Sequence, residues 1–204
     1  MVEDRGQDAL DIRLLKFELR RQMKKMRAAA FAQNKEASFQ LRDQFLKALS
    51  FPVANIIGSY QAQGSEIDPS PLADALREKG HLFALPVIAH KDEPLSFRNY
   101  AIGDPLVPNS YGIGEPGPAA LTVEPDILFV PLLAFNRQGS RLGTGAGYYD
   151  RTLKALRAKK SIFAIGLAFS CQEVDTIPIE NHDAPLDRIA TEIQVFNPPA
   201  TVRA

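Results

Sequence analysis

From Asp11 onward apolar residues recur at three- and four-residue steps, at Ile12, Leu15, Leu19, Met23 and Met26, which predicts an amphipathic helix. The segment before it is largely polar, and residues 1–10 read as a disordered N-terminal tail. One position beyond each apolar residue runs a second stripe, Arg13, Lys16, Arg20, Lys24 and Arg27. Such a stripe ordinarily faces solvent, and that is the expectation for most of its members. Lys16 and Arg20 stand four residues apart, so both can reach one anion from one helix face. Residues 35–49 predict a second helix, with Phe39, Leu41, Phe45 and Leu49 partly buried against the first.

The pattern then changes to that of strands. Residues 53–60 are β-branched and apolar, and residues 81–85 form a second short apolar run that Pro86 is expected to end. Between them lies a helix over residues 72–79, with Asp68 or Ser70 as its cap, Pro69 or Pro71 near its first turn and Gly80 as its stop. Strand, helix and strand in succession are the unit of a parallel sheet. Residues 86–125 hold seven of the fifteen prolines; within them residues 95–100 suit an edge strand, and residues 111–116 are turn-rich. The run from Asp126 to Val130, bounded by Pro125 and Pro131, suits a buried strand. A helix over 152–157 and a strand over 161–167 follow. The expected fold is α/β: a single three-layer αβα domain over residues 11–204, Rossmann-like, with a mainly parallel sheet.

Composition narrows the functional classes. The 204 residues are 45% hydrophobic and 24% charged, with a formal net charge of zero. No global field draws this chain to nucleic acid or to an anionic membrane. Its one cysteine, Cys171, excludes an internal disulfide framework and a cysteine-based zinc cluster, and suits a small, buried residue better than a catalytic thiol. Without a membrane-length apolar run or a signal-peptide core, a cytoplasmic protein is the expectation.

The chemistry concentrates after the strand at 126–130. Asn136-Arg-Gln-Gly139 is a turn, and Arg141-Leu-Gly143-Thr-Gly145-Ala-Gly147 leads into Tyr148-Tyr149-Asp150-Arg151 at the head of a helix. Glycines at alternate positions let peptide N–H groups approach an anion that a Cβ would obstruct, and a helix N-terminus adds a favourable dipole. Arg141 offers a permanently charged fork for phosphate oxygens. Asp150 offers the hard oxygen that magnesium prefers; alternatively, it caps the helix. The segment matches neither the Walker pattern nor the dinucleotide fingerprint.

The stretch PLLAFNRQGSRLGTGAGYYDR resembles the signature of the 5-formyltetrahydrofolate cyclo-ligases, also called methenyltetrahydrofolate synthetases. Asn136 stands where that family usually has Asp, and Ala146 where many members have Gly. The resemblance extends to Lys16-Phe-Glu-Leu-Arg20, to Glu66-Ile67-Asp68, to Gly112-Ile-Gly-Glu115-Pro116 and to His182-Asp183. It implies an ATP site made by Lys16, Arg20, Arg141, Leu142, Gly143, Thr144, Gly145, Ala146, Gly147, Tyr148 and Tyr149. It implies folate contacts by Glu66, Tyr148 and Tyr149, and magnesium between Asp150 and Asp183. Arg141, Tyr149 and Lys16 would carry catalysis. His182 reads as a loop residue, and Glu115 as part of a loop that walls the folate pocket or merely connects.

The implied reaction uses ATP to phosphorylate the formyl oxygen of 5-formyltetrahydrofolate, so that N10 can close the ring and expel phosphate. The implied partners are small molecules only, with no nucleic acid and no membrane, and the protein is expected to be a monomer. Two other readings stand beside this one. A sugar-phosphate or acyl-transfer enzyme would use the glycine loop without ATP, and a non-catalytic RNA-binding homologue would rely on the basic first helix.

Overall fold

The computed structural model describes residues 3–52 and 55–199, with side chains from Asp11 onward; Val53 and Ala54 of the expected first strand lie outside the described residues. Helix α1 spans Glu3–Gln33 and α2 spans Ala37–Ala48. The backbone of residues 3–10 is therefore helical where a disordered tail was expected. That segment holds one glycine and no proline, so nothing in it stops a helix from continuing.

The centre of the molecule is an eight-stranded sheet. Its strands are β1 (Ile56–Gly58), β2 (Leu82–Val87), β3 (Ser96–Asn99), β6 (Thr122–Val123), β7 (Ile127–Pro131), β10 (Phe163–Leu167), β11 (Arg188–Ala190) and β12 (Val195–Phe196). The spatial order is β12-β11-β10-β7-β1-β2-β3-β6. From β11 through β2 every neighbouring pair is parallel, whereas β12, β3 and β6 run antiparallel at the flanks. The sheet is thus mainly parallel, as expected.

Side chains alternate across it with period two. In β7, Ile127 and Phe129 face one core with Leu41 and Phe45 of α2 and Leu72 and Leu76 of α3 (Ser70–Glu78). Leu128 and Val130 face the other with Leu153 and Leu156 of α4 (Tyr148–Arg157). Helices therefore cover both faces, which is why β7 reads as a continuous apolar run.

Four local expectations change. Pro86 lies inside β2 rather than ending it: the β1 pairing runs only to Ala84, so the missing N–H at Pro86 removes no bond to β1. β3 is not an edge, because the short β6 pairs along its outer side. The turn-rich segment before β6 forms a hairpin of β4 (Leu106–Pro108) and β5 (Gly114–Pro116). The helix α3 has Pro69 at its N-cap position with no side-chain cap, while Asp68 accepts hydrogen bonds from the Ser70 backbone and hydroxyl.

Chain order places a cleft. From β1 the chain crosses by α3 to β2 on one side; from β7 it crosses by α4 to β10 on the other. The carboxyl ends of β1 and β7 thus diverge at a topological switch point, where open α/β sheets receive ligands. A small hairpin of β8 (Ala134–Phe135) and β9 (Arg141–Leu142) follows β7. It buries Leu133, Ala134 and Leu142 against Met23 and carries α1 over this end of the sheet. Asn136 closes the hairpin turn, its Oδ1 accepting the N–H groups of Gln138 and Ser140.

Candidate active site

The cleft has a volume of about 570 Å³. All of the residues singled out above, namely Lys16, Arg20, Glu66, the loop from Arg141 to Gly147, Tyr148, Tyr149, Asp150 and Asp183, line it. Sequence-distant groups from α1, the segment after β1, the glycine loop and the segment before β11 therefore converge on one space.

Helix α1 contributes through an unexpected face. Lys16 and Arg20, expected to reach one anion from one face, both line the cleft, at 4% exposure and half-buried, and Arg27, expected to meet solvent, is buried at 8%, while Leu15 and Met26 of the apolar stripe stay exposed. Arg13 and Lys24 are exposed, as the solvated-face expectation has it. The physical reason lies opposite the helix, where carboxylates and backbone carbonyls need cations and Met23 alone is fully buried. Lys16 Nζ sits 2.8 Å from Glu180 and 2.5 Å from Asp183. Arg20 Nε donates to the carbonyl of Gly143 at 3.0 Å.

The glycine loop requires its glycines at two places. Gly145 and Gly147 have φ of +112° and +70°, the region where a Cβ is strained. Gly147 occupies the N-cap position of α4, so the N–H groups of the helix's first turn open toward the loop. Asp150 is not a cap: it makes no capping hydrogen bond, and its Oδ1 instead lies 2.6 Å from Arg141 and accepts the Ala184 N–H at 3.0 Å. Arg141 is buried, its Nε has no partner among the described residues, and burial pulls its pKa down against the opposing pull of Asp150 and Asp183. A guanidinium remains charged even so.

Asp183 also accepts the Glu180 N–H at 2.8 Å. Glu180, His182 and Asp183 present ligand atoms within 4.8 Å of one another; Asp150 is outside that trio, although its Ala184 contact ties it to the same segment. The Lys16 hydrogen bond pulls Glu180 down in pKa, so it is an anion at neutral pH. These partly exposed oxygen donors suit a hard divalent cation, and the protein's own cations now satisfy them.

At the other end of the cleft Glu66 is 9% exposed. It accepts the Gln63 N–H at 3.0 Å and faces Arg27 at 3.4 Å. Burial raises its pKa, against those two contacts. Tyr149 is pushed up by burial and by Glu66, so its hydroxyl stays protonated. Tyr60, buried beside Glu66, is raised in the same way and donates to the carbonyl of Ile67 at 2.8 Å. Glu115 lines the cleft wall, where its carboxylate accepts the Ile88 N–H and the Asn109 side chain and so pins the β4–β5 hairpin to β2. Cys171 is half-buried, away from the cleft lining, with its pKa raised by burial. Tyr60, Glu180 and Arg27 escaped the sequence reading. An acidic pair spaced three apart, Glu180 and Asp183, was the one available signal.

A cleft of this kind, at a parallel-sheet switch point and lined by paired charges, belongs to an α/β enzyme acting on small molecules. Its family follows from comparison. Residues 14–192 match the 5-formyltetrahydrofolate cyclo-ligase family, and the chain belongs to that family of ligases. A 5-formyltetrahydrofolate cyclo-ligase of Haemophilus influenzae is 35% identical over 175 residues, covering 83% of this chain and 93% of the relative. One from Escherichia coli K12 is 33% identical over 175 residues, covering 83% and 96%. Among solved structures, a 5,10-methenyltetrahydrofolate synthetase of Aquifex aeolicus aligns with TM-score 0.74 at 26% identity, covering 93% of this chain and 96% of its own. One from Mycoplasma pneumoniae shares the fold at TM-score 0.69 and 23% identity, over 87% of this chain and 98% of its own.

Proposed function

We propose that the cleft closes 5-formyltetrahydrofolate to 5,10-methenyltetrahydrofolate at the expense of ATP, with magnesium. The observation that carries this reading is one cleft with two chemically distinct ends, a cationic glycine loop and a buried carboxylate flanked by tyrosines. Lys16, Arg20 and Arg141 neutralise the phosphates, and the loop N–H groups orient them. Glu66 accepts the amino and ring N–H donors of the pterin, with Tyr148 and Tyr149 as the wall between the two substrates. The formyl oxygen attacks the γ-phosphorus and ADP leaves. N10 then attacks the formyl carbon, loses its proton, and phosphate departs with the former formyl oxygen. Tyr149, kept protonated, donates a hydrogen bond and takes no proton.

Asp150 and Asp183 are the groups that would hold magnesium, with Glu180 beside them. The ion supplies charge neutralisation on the phosphates. To expose those carboxylates, Lys16 and Arg141 exchange protein partners for phosphate oxygens. In this reading the protein works as a cytoplasmic monomer on small molecules. Zero net charge argues against a nucleic-acid partner, and among the described residues no helix is long and apolar enough to cross a membrane. The direct assay follows methenyltetrahydrofolate formation by its absorbance. Product is expected only with 5-formyltetrahydrofolate, ATP and magnesium together; turnover without ATP would favour the acyl-transfer alternative.

A further inference from the structure

Arg27 lies on α1 behind the wall of the cleft and is not among the groups that line it. Its side chain is nevertheless buried, and its hydrogen bonds to Ser65 and Glu66 lead toward the substrate end. Nε donates to the Ser65 hydroxyl at 3.2 Å, and Nη1 donates to Glu66 Oε1 at 3.4 Å. The other carboxylate oxygen of Glu66 accepts the Gln63 N–H. Two donors, one on each oxygen, therefore restrain a carboxylate that also lines the cavity. A guanidinium buried on a helix is costly unless it has a task for its charge, and the carboxylate it faces is also largely removed from water.

We propose that Arg27 is a positioning residue for the folate: it holds Glu66, as an anion, in the orientation that meets the pterin. The inference rests on the reading of Glu66 as a folate contact. The surroundings of Glu66 leave Arg27 in command of its charge. Tyr60 and Tyr149 face it with neutral hydroxyls; Asp68 acts on Tyr60, Arg141 acts on Tyr149, and Arg27 is the cation that opposes the effect of burial on Glu66 itself. With Arg27 gone, desolvation acts against a single backbone hydrogen bond, and the carboxyl takes up a proton at higher pH. The sign follows directly. A protonated Glu66 has lost one acceptor oxygen, so folate affinity is present above the raised pKa and is lost as pH falls through it.

The test measures KM for 5-formyltetrahydrofolate and for ATP between pH 6 and 8 in wild type, Arg27→Met, Arg27→Lys and Glu66→Gln, with thermal unfolding of each. In Arg27→Met the folate KM, taken relative to wild type at each pH, is expected to rise toward low pH by about tenfold per unit below the shifted pKa. The ATP KM is expected to stay put, and Arg27→Lys to restore most of the flat profile. If Arg27→Met fails to fold, Arg27→Lys decides. It keeps the charge but loses the fork, so a smaller acid-side rise in folate KM is expected. A folded Arg27→Met whose folate profile runs parallel to wild type overturns the proposal, whatever its melting temperature; where Arg27→Met does not fold, an Arg27→Lys profile parallel to wild type does so. Glu66→Gln separates the two layers: its impairment beside a flat Arg27 profile removes this inference alone, whereas an unchanged folate KM in Glu66→Gln removes the Glu66 reading and this inference with it.

Discussion

At the glycine-loop end of the cleft, cations sit at 2.5 to 2.8 Å from carboxylates of the protein, in the Lys16 pairs with Glu180 and Asp183 and the Arg141 pair with Asp150. At the Glu66 end one buried carboxylate faces one guanidinium at 3.4 Å and a backbone N–H. The first end is a set of interchangeable ion pairs. A polyphosphate and a divalent cation are expected to exchange with them, because Lys16, Arg141 and the three carboxylates are already held by charged partners. The second end is preset: its carboxylate is held from behind and has little to exchange. A nucleotide with its metal is thus expected to rearrange one end, and a neutral, hydrogen-bonding heterocycle to dock on the other.

Breaking the exchangeable end at Asp150 should have the largest effect. Asp150→Asn keeps an acceptor for the Ala184 N–H but leaves Arg141 buried with a weakened partner. Turnover is expected to fall by about 10²–10³, and stability by roughly 1.5–3 kcal/mol for the lost charged hydrogen bond. The magnesium concentration for half-maximal rate should rise as well. Activity reduced by the same factor at every magnesium level would make Asp150 a partner of Arg141 only. Next in size is Lys16→Met, which frees Glu180 and Asp183 while removing a phosphate contact. The ATP KM should rise about 10- to 100-fold, the range of one charge-assisted hydrogen bond, with the folate KM little changed. The smallest effect belongs to Gly147→Ala. A φ of +70° costs a side chain about 1–2 kcal/mol, while the neighbouring Arg151 fork can swing aside. Calorimetry should show a melting temperature lower by roughly 2–8 °C.

The same contrast explains what was legible in the sequence. The glycine loop, Arg141 and Asp150 are contiguous, so local chemistry alone announces an anion site. Continuous apolar runs announce β7 and β10, because both are covered on two faces by helices. The Glu66 end is assembled from α1, the segment after β1 and the start of α4, and no local rule links Arg27 to Glu66 across that separation. Helical periodicity also misassigned α1. An apolar stripe was read as the inward face, whereas the helix turns Lys16 into the charged cleft, packs Met23 on Leu133, Ala134 and Leu142, buries Arg27 against Glu66 and leaves Leu15 and Met26 outside. Burial there follows the carboxylates opposite, and hydrophobicity decides less. Pro86 misled for a related reason: a proline ends a strand only where a neighbour needs its N–H, and β1 has stopped by then.

The central claim, one cleft with a nucleotide end and a folate end, is tested most directly by crossing two substitutions with two Michaelis constants. Arg20→Met and Glu66→Gln are compared with wild type in the methenyltetrahydrofolate absorbance assay, varying ATP at saturating folate and folate at saturating ATP. Arg20 touches the Gly143 carbonyl and covers Gly145, whereas Glu66 lies at the other end of the same cavity. The account predicts a crossed result: the ATP KM rises in Arg20→Met and the folate KM in Glu66→Gln, each with the other constant near wild type. A folate-only defect in Arg20→Met, or an ATP-only defect in Glu66→Gln, would contradict it.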